Sequence, residues 1–273
     1  MPEVVVAAHG EVGVEILEFL ASSFPGDIAL CLTIPGSKAE MVARSNGIQT
    51  EHWGDQAAAA EVIKSVGADF GILAWWPFIV KEPLLSAPRL GWVNTHPSFL
   101  PYGRGKHYNF WTIVDQTPFG VSLHWVDAGI DTGDIIAQRK IDYDWTDTGE
   151  SLYMKAQAAM PTLFRETYES LRDGSAPRTQ QNPCSGTAHK GSEIFEVSTL
   201  PIDDIAPIRS ILNLIRARTF MGHPACTFND TGRTYEVRVS IREVGQLPPF
   251  QAEVLTEQLP MKAQQSPHDP PNN

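Results

Sequence analysis

The sequence has little cysteine, and the three cysteines that it has lie far apart. Cys31, Cys184 and Cys226 form no C-x-x-C pair, so neither the spacing of a zinc site nor the density of a disulfide framework is present. Cys31 lies in an apolar run and is expected to be a small core residue. This cysteine usage argues against a secreted, disulfide-stapled domain and fits a reducing cytoplasm.

Long apolar runs are also missing. The longest, from Phe70 to Val80, is interrupted by Gly71 and Pro77 and is shorter than the ~20 residues that a membrane-spanning helix needs. Residues 1–3 are Met-Pro-Glu and lead directly into a strand, so no signal peptide is expected. We therefore predict a soluble cytoplasmic protein without membrane contact.

Basic residues are few. The chain has 21 lysines and arginines against 32 acidic residues, a net charge of −11 and a pI near 5.1. Such an acidic excess repels phosphate backbones at long range. A small basic cluster at Arg209, Arg216 and Arg218 is interpreted as the solvated face of a helix. The composition predicts no nucleic-acid partner.

The glycine fingerprint of dinucleotide-binding proteins is absent. The first strand-to-helix turn reads HGEVG over residues 9–13 instead of G-x-G-x-x-G, and Glu11 would repel a pyrophosphate. The second strand ends in IPG at residues 34–36, without the acidic residue that binds a nicotinamide ribose. These absences disfavour a nicotinamide-dependent oxidoreductase.

What the sequence does contain is a regular alternation of strands and helices. Apolar runs predict strands, and apolar residues at 3.6-residue spacing predict helices. The predicted strands cover residues 3–8, 27–34, 69–76, 92–96, 119–126 and 135–141, and the predicted helices residues 12–20, 37–46, 57–66, 107–115 and 148–171. This order is typical of βαβ units and predicts an α/β fold, Rossmann-like, with a largely parallel sheet.

The composition changes near residue 175 and divides the chain into four parts. We predict a large α/β domain at 1–175, a linker or excursion loop at 176–201, a small C-terminal helix plus β-hairpin region at 202–245, and a disordered tail at 246–273. The hairpin carries Phe228 and Tyr235. It is a candidate surface for packing on its own domain or on a second subunit of a homodimer.

Two polar side chains end the fourth predicted strand. Asn94 and His96 are two residues apart and share one face of that strand. The chain then leaves the sheet through Pro97 and Pro101, in the stretch NTHPSFLPYGRG. Ligands of open α/β sheets bind at the carboxyl ends of the strands. The pair is therefore a candidate site; the alternative is a structural histidine satisfied within a stiff loop.

A second polar stretch, SLHWVDAGIDTGD, runs from Ser122 to Asp134 and holds three aspartates. Asp127 and Asp134 are interpreted as turn residues. Asp131 lies between two glycines of a tight loop, which suits an inward-pointing carboxylate that orients a nearby histidine. The cluster has no matching histidine or glutamate pair, so we predict no metal site.

The two stretches N-x-H-P-S-x-L-P-x-x-R-G and S-x-H-x-V-D-x-G-I-D-T-G-D-I-I resemble the folate-dependent formyltransferases. The resemblance covers residues 3–173 and, more weakly, 211–239. It implies that the domain at 1–175 is catalytic and transfers a formyl group from 10-formyltetrahydrofolate to an amine, without a metal. Residues 104–111, RGKHYNFW, are similar to members that formylate nucleotide-linked aminosugars.

The resemblance also implies roles for individual residues. Asn94 is expected to donate a hydrogen bond to the oxyanion, His96 to carry the proton, and Asp131 to orient His96. The residues implied to bind folate are Trp76, Phe78, Ile79, Val126, Asp127, Gly129 and Ile130. The residues implied to bind the acceptor substrate are Ser98, Gly103, Arg104, Lys106 and His124.

Other functions stay open at this point. The amine could belong to an aminoacyl-tRNA, a glycinamide nucleotide or a hydroxylated amino acid instead. A tRNA substrate is disfavoured by the acidic charge, and the region after residue 202 offers a helix and a hairpin where a β-barrel would be needed. A non-catalytic module that binds folate or nucleotide is a further alternative, against which the intact Asn94, His96 and Asp131 argue.

Overall fold

The computed structural model describes residues 1–182 and 184–245. Residues 1–240 form one compact unit, and residues 241–245, which contain no helix or strand, belong to a second. Within the described residues, no helix has the length and apolarity that crossing a membrane requires. The tail predicted at 246–273 lies outside the described residues.

The central sheet has seven strands, and four further strands form two small pairs. The strands in chain order are β1 Val4–Ala8, β2 Ile28–Thr33, β3 Thr50–His52, β4 Phe70–Ala74, β5 Trp92–His96, β6 Arg104–Gly105, β7 Gly120–Trp125, β8 Ile135–Lys140, β9 Ala188–His189, β10 Cys226–Asp230 and β11 Arg233–Val237. The helices are α1 Gly10–Ser23, α2 Lys38–Ser45, α3 Gln56–Ser65, α4 Tyr108–Asp115, α5 Gly149–Arg172, α6 Glu193–Val197 and α7 Ile208–Arg218.

The strand order of the large sheet is β3-β2-β1-β4-β5-β7-β8. The first five of these strands are parallel, and β7 and β8 extend the sheet in antiparallel fashion. The prediction of a Rossmann-like α/β fold with a largely parallel sheet is therefore confirmed. The sequence analysis missed β3, because this edge strand has only three residues and none is fully buried.

The core lies on both faces of the sheet, and β1 is buried along its whole length. Its residues alternate between the two layers: Val4 and Val6 pack in one apolar cluster, Val5 in the other. Packing requires a glycine at position 71 on β4, since a Cβ there would lie 2.2 Å from Cε3 of Trp92. The buried indole of Trp92 thus supports the strand that ends in Asn94 and His96.

The long helix α5 begins at a capping box, in which Thr148 and Ser151 exchange side-chain to backbone hydrogen bonds. Its C-terminal end is tied to the sheet, because Tyr168 Oη and Arg172 Nε both donate to the buried Asp27 carboxylate, at 3.0 and 2.6 Å. Pro161 lies in its interior. The helix carries polar side chains to the functional cavity described below.

Residues 176–201 form an excursion that packs beside the loop after β5. In it β9 pairs in parallel with β6, and Thr179 forms an antiparallel bridge with Ile135. A polar composition predicted a linker or loop here but not these pairings. The next helix, α7, begins at Ile208 and not near residue 203, because Pro207 occupies the N-cap and has no N–H to continue a helix backwards.

Candidate active site

Neighbouring strands bring the polar residues of the two sequence motifs together. Asn94 on β5 is the direct cross-strand partner of His124 on β7, and His96 is the partner of Ser122. Side chains opposite each other in an antiparallel pair lie on the same face of the sheet. Asn94, His96 and His124 therefore project into one cleft, where the Asp131 loop meets them.

His96 is buried and both of its ring nitrogens face acceptors. Nε2 lies 3.0 Å from the Gly103 carbonyl oxygen, and a carbonyl can only accept, so Nε2 carries a hydrogen. Nδ1 lies 3.5 Å from Oδ1 of Asp131. A proton taken up by His96 therefore resides on Nδ1, against a carboxylate that stabilises it.

Asp131 is held in a left-handed conformation, with φ 53°, which aspartate tolerates better than most residues. Its Oδ2 accepts a hydrogen bond of 2.9 Å from the Gly105 N–H. Burial raises the pKa of Asp131, but the neighbouring His96 and His124 and the Gly105 N–H outweigh burial, so the net pKa lies below its ordinary value. The side chain is an anion at neutral pH.

His124 is neutral, because burial first, and the nearby His96 second, lower its pKa to about 4. Its Nδ1 donates to the Trp125 carbonyl oxygen over 2.8 Å, so Nε2 bears a lone pair. That lone pair accepts a hydrogen bond of 3.2 Å from Nδ2 of Asn94. The tautomer of His124 thus sets the orientation of the Asn94 amide and leaves its second N–H for a ligand.

His96, His124 and Asp131 also offer one metal-ligand atom each within 4.8 Å of one another. Two of the possible ligand atoms already have partners, since His124 Nε2 is hydrogen-bonded to Asn94 and His96 Nδ1 lies 3.5 Å from the Asp131 carboxylate. The sequence-based expectation of a metal-free site stays a prediction.

These groups lie in a cavity of about 1070 Å³. One part of its wall is largely apolar and combines the loop after β4 with the loop after β7. Every residue predicted to bind folate lines the cavity: Trp76, Phe78, Ile79, Val126, Asp127, Gly129 and Ile130. In this wall Trp76 is buried, whereas Phe78 and Ile79 are exposed. An aromatic, accessible wall of this kind suits a flat heterocycle.

The other part of the wall is polar and comes from residues near Lys106, from α5 and from the excursion. Lys106 and His124, both predicted to bind the acceptor, line the cavity. Ser98, Gly103 and Arg104 are not among its lining residues, and their contact with substrate stays a prediction. Two of them order the loop after β5: Ser98 Oγ donates to the Tyr102 carbonyl and the Gly103 carbonyl accepts from His96.

Arg104 is buried and its guanidinium donates twice to Oε1 of Gln181, at 3.2 and 2.9 Å. Gln181 in turn donates through Nε2 to the carbonyl oxygens of Asp131 and Gly133, at 2.9 and 2.7 Å. This chain of bonds ties the loop after β5 to the aspartate loop. Arg104 therefore connects these two loops without lining the cavity.

The sequence analysis missed several lining residues. Tyr153 and Gln157 are four residues apart on α5, and the amide of Gln157 donates to the Tyr153 hydroxyl over 3.3 Å. Their spacing, on one face of a helix, could have indicated a polar stripe. His189 and Lys190 come from the excursion. No local pattern in the sequence signals them.

Comparisons with known proteins match two parts of the chain. Residues 34–167 match the family described as "Formyl transferase", and residues 193–243 match "N-formyltransferase dimerization C-terminal domain". Residues 34–167 belong to the formyltransferase family. The family assignment predicted from the two sequence motifs is thus confirmed, and the family is one of group-transferring enzymes.

Individual proteins that are similar to this chain are also formyltransferases. The dTDP-4-amino-4,6-dideoxyglucose formyltransferase of Mycobacterium bovis is 32% identical over 54% of the chain and 63% of its own length. A sugar N-formyltransferase structure from Shewanella has a TM-score of 0.73 at 18% identity, covering 89% of this chain and 99% of that one. An N-formyltransferase from Helicobacter canadensis, in complex with folinic acid and dTDP-3-aminofucose, has a TM-score of 0.65 at 21% identity and 85% coverage of each chain.

The two structural likenesses show a shared fold. The chain spans between 16% and 63% of the length of the curated relatives that it matches.

Proposed function

We propose that this protein transfers the formyl group of 10-formyltetrahydrofolate to the amino group of a nucleotide-linked aminosugar. The observation that carries the proposal is the convergence of Asn94, His96 and Asp131 in one cavity with an aromatic wall. The Helicobacter canadensis neighbour, whose complex contains a folate and a nucleotide-linked aminosugar, supports both substrates. The apolar wall with Trp76 and Phe78 is assigned to the pterin.

The chemistry follows from the hydrogen-bond pattern. The amine nitrogen attacks the formyl carbon, and the electrons of the C=O π bond move to oxygen. The free N–H of Asn94 donates to this oxyanion. His96 takes the amine proton on Nδ1, beside the Asp131 carboxylate, and returns it to N10 of the folate as the C–N10 bond breaks. The products are the formamide and tetrahydrofolate.

The test is a turnover assay with a panel of acceptors. Purified protein and 10-formyltetrahydrofolate are mixed with nucleotide-linked aminosugars, and tetrahydrofolate release and formamide formation are measured. Free aminosugars, glycinamide ribonucleotide and hydroxylated amino acids serve as competing acceptors. Turnover with one of these competitors alone would replace the aminosugar assignment, and folate binding without release for any amine would favour a non-catalytic module.

Variants of the three central residues test the mechanism. Asn94→Ala is expected to lower kcat about 10²–10³-fold, the usual effect of losing one oxyanion donor. His96→Ala is expected to lower it about 10²–10⁴-fold, and Asp131→Ala by a comparable factor. Asp142→Ala, at a 96% exposed carboxylate outside the site, is the matched control. Near-normal rates in all three site variants would show that the mechanism is wrong.

The region matched as a dimerization domain, residues 193–243, supports a homodimer. It exposes large apolar side chains that a monomer would leave in water: Phe195, Val197, Ile202, Ile205, Ile208, Met221 and Tyr235. Contiguous exposed apolar surface marks interaction sites. Light scattering coupled to size exclusion should give twice the chain mass of 30.1 kDa, and Phe195→Asp combined with Ile205→Asp should halve it. A wild-type mass of one chain would refute the dimer.

A further inference from the structure

The polar part of the cavity wall contains two lysines whose ammonium groups make no close contact with a carboxylate in the described residues. Lys106 and Lys190 both line the cavity and are exposed. Across residues 1–182 and 184–245, neither ammonium group forms an ion pair with a carboxylate or a hydrogen bond. In a chain with a net charge of −11, a pair of free cations at the edge of a site indicates an anionic ligand.

The two lysines lie close together because the excursion packs on the loop after β5. Lys106 donates its backbone N–H to the His189 carbonyl oxygen over 3.2 Å. A Cβ on Gly191 would lie 3.7 Å from Cγ of Lys106, so the lysine stem runs along this glycine. A side chain at residue 105 would clash, because a Cβ on Gly105 would lie 2.3 Å from the His189 carbonyl oxygen. The two segments are thus in direct backbone contact.

His189 holds this arrangement in place. Its Nδ1 and Nε2 lie 2.8 Å and 2.9 Å from carboxylate oxygens of Glu193 and Asp115. Its ring stacks on Trp111 at a centroid distance of 3.6 Å. Glu193 binds both His189 and the Lys190 backbone N–H. The charge of Lys190 helps to lower the pKa of Glu193, but its ammonium group forms no hydrogen bond or close ion pair with that carboxylate in the described residues.

A second cation, Arg218, lies near Lys106, since both act on His107. Burial is the main reason why the pKa of His107 is lowered; a hydrogen bond to the Gly191 backbone opposes this, and the charges of Arg218 and Lys106 add to the lowering. Arg218 is buried, and its Nε has no hydrogen-bond partner within the described part of the chain.

From this geometry we propose that Lys106 and Lys190 bind the diphosphate that links the nucleoside to the aminosugar. The proposal rests on the proposed function and adds a role for the excursion, which supplies one of the two phosphate-binding lysines. A free aminosugar lacks the group that these lysines recognise.

The test compares acceptors with and without the diphosphate. In Lys190→Met and Lys106→Met, the KM for the nucleotide-linked aminosugar should rise about 10- to 100-fold, the effect of losing a charge-assisted hydrogen bond, while the KM for the folate stays within twofold. Lys190→Arg should restore most of the affinity. For the methyl glycoside of the same aminosugar, the loss of kcat/KM in the variants should be much smaller than for the nucleotide-linked acceptor. Lys140→Met, an exposed lysine beside Asp142, is the matched control.

Binding of UDP and dTDP, measured by calorimetry, tests the same lysines without turnover. Both nucleotides should bind the wild type and lose about 10- to 100-fold in affinity in Lys190→Met, with an effect that shrinks at high salt. Unchanged affinity and unchanged KM in an active wild-type background would overturn this inference alone. A wild type that formylates no amine would instead overturn the proposed function, and the nucleotide titrations would still decide whether the lysines bind phosphate.

Discussion

Gln181 is the residue whose replacement tests the structural basis of the site most directly. It is buried, and its amide makes four hydrogen bonds: two from the Arg104 guanidinium to Oε1 and two from Nε2 to the carbonyl oxygens of Asp131 and Gly133. In Gln181→Ala all four are lost. The buried guanidinium then lacks its acceptor, and the aspartate loop lacks its link to the loop after β5.

The magnitude follows from these bonds. Two of them involve a charged donor, at about 1.5–3 kcal/mol each, and two are neutral, at about 0.5–1.5 kcal/mol each. Water that enters the space left by the side chain replaces part of this sum. We therefore expect the free energy of unfolding to fall by about 2–4 kcal/mol. For a chain of this size, that lowers Tm by about 4–15 °C.

Activity should fall as well, because Asp131 is positioned through its own backbone carbonyl. A displacement of about 1 Å at a catalytic group can cost about 10²-fold in rate, so we expect kcat to drop about 10- to 100-fold at a temperature where the variant is folded. The KM for either substrate should change less, since Gln181 does not line the cavity.

The assay is thermal unfolding combined with steady-state kinetics, and the neighbouring Gln180 provides a matched control. Gln180 is exposed, so Gln180→Ala should leave Tm and kcat unchanged. If Gln181→Ala behaves like Gln180→Ala in both measurements, the bridge does not hold the site and the reasoning fails. A drop in Tm with full kcat would show that the bridge stabilises the fold without positioning Asp131.

Three further predictions concern pH, packing and folate binding. The pKa of His124 is about 4 in the folded protein and 6.5 for an unperturbed histidine. Below pH 6.5 protonation therefore favours the unfolded chain, and the free energy of unfolding should fall by about 3 kcal/mol as the pH drops to 4. In His124→Phe, urea titrations should show this part of the pH dependence removed; an unchanged profile would contradict the burial argument. Gly71→Ala should lower the free energy of unfolding by about 1–3 kcal/mol, because the added Cβ would clash with the Trp92 ring. Gly54→Ala, whose Cβ would have no atom within 4 Å, should leave the free energy of unfolding unchanged in thermal or urea unfolding. Phe78→Ala should raise the KM for 10-formyltetrahydrofolate about 5- to 30-fold and leave the acceptor KM unchanged; the reverse pattern would reassign the aromatic wall.

The parts of the fold that the sequence predicts are those with local patterns. The buried strands of the parallel sheet are continuous apolar runs, and the helices between them have clear periodicity. Asn94, His96 and Asp131 could be proposed as site residues because strand ends and tight glycine loops are local features as well. The distance of 3.5 Å between His96 Nδ1 and Asp131 Oδ1 depends on contacts between segments far apart in sequence, which an α/β topology predicts only in general terms.

The excursion could not be predicted, because its contacts are formed with residues far away in sequence. Gln181 binds Arg104 across 77 residues and Asp131 across 50, and His189 binds Asp115 across 74. A polar stretch with prolines has the composition of a loop whether it is solvated or packed. Its pairing with β6 involves two residues, too few for a strand pattern.

Arg104 illustrates why a motif match and a binding role are separate questions. The motif places an arginine beside two glycines after a catalytic strand, a context in which a cation is expected to meet an anionic ligand. In this fold the Arg104 guanidinium is buried and donates to the neutral amide of Gln181, which in turn donates to the Asp131 backbone carbonyl. Lys106, two residues later, is exposed and lines the cavity. Burial and the identity of the hydrogen-bond partner, which the sequence does not contain, therefore distinguish a cation that connects two loops from one that is accessible to a ligand.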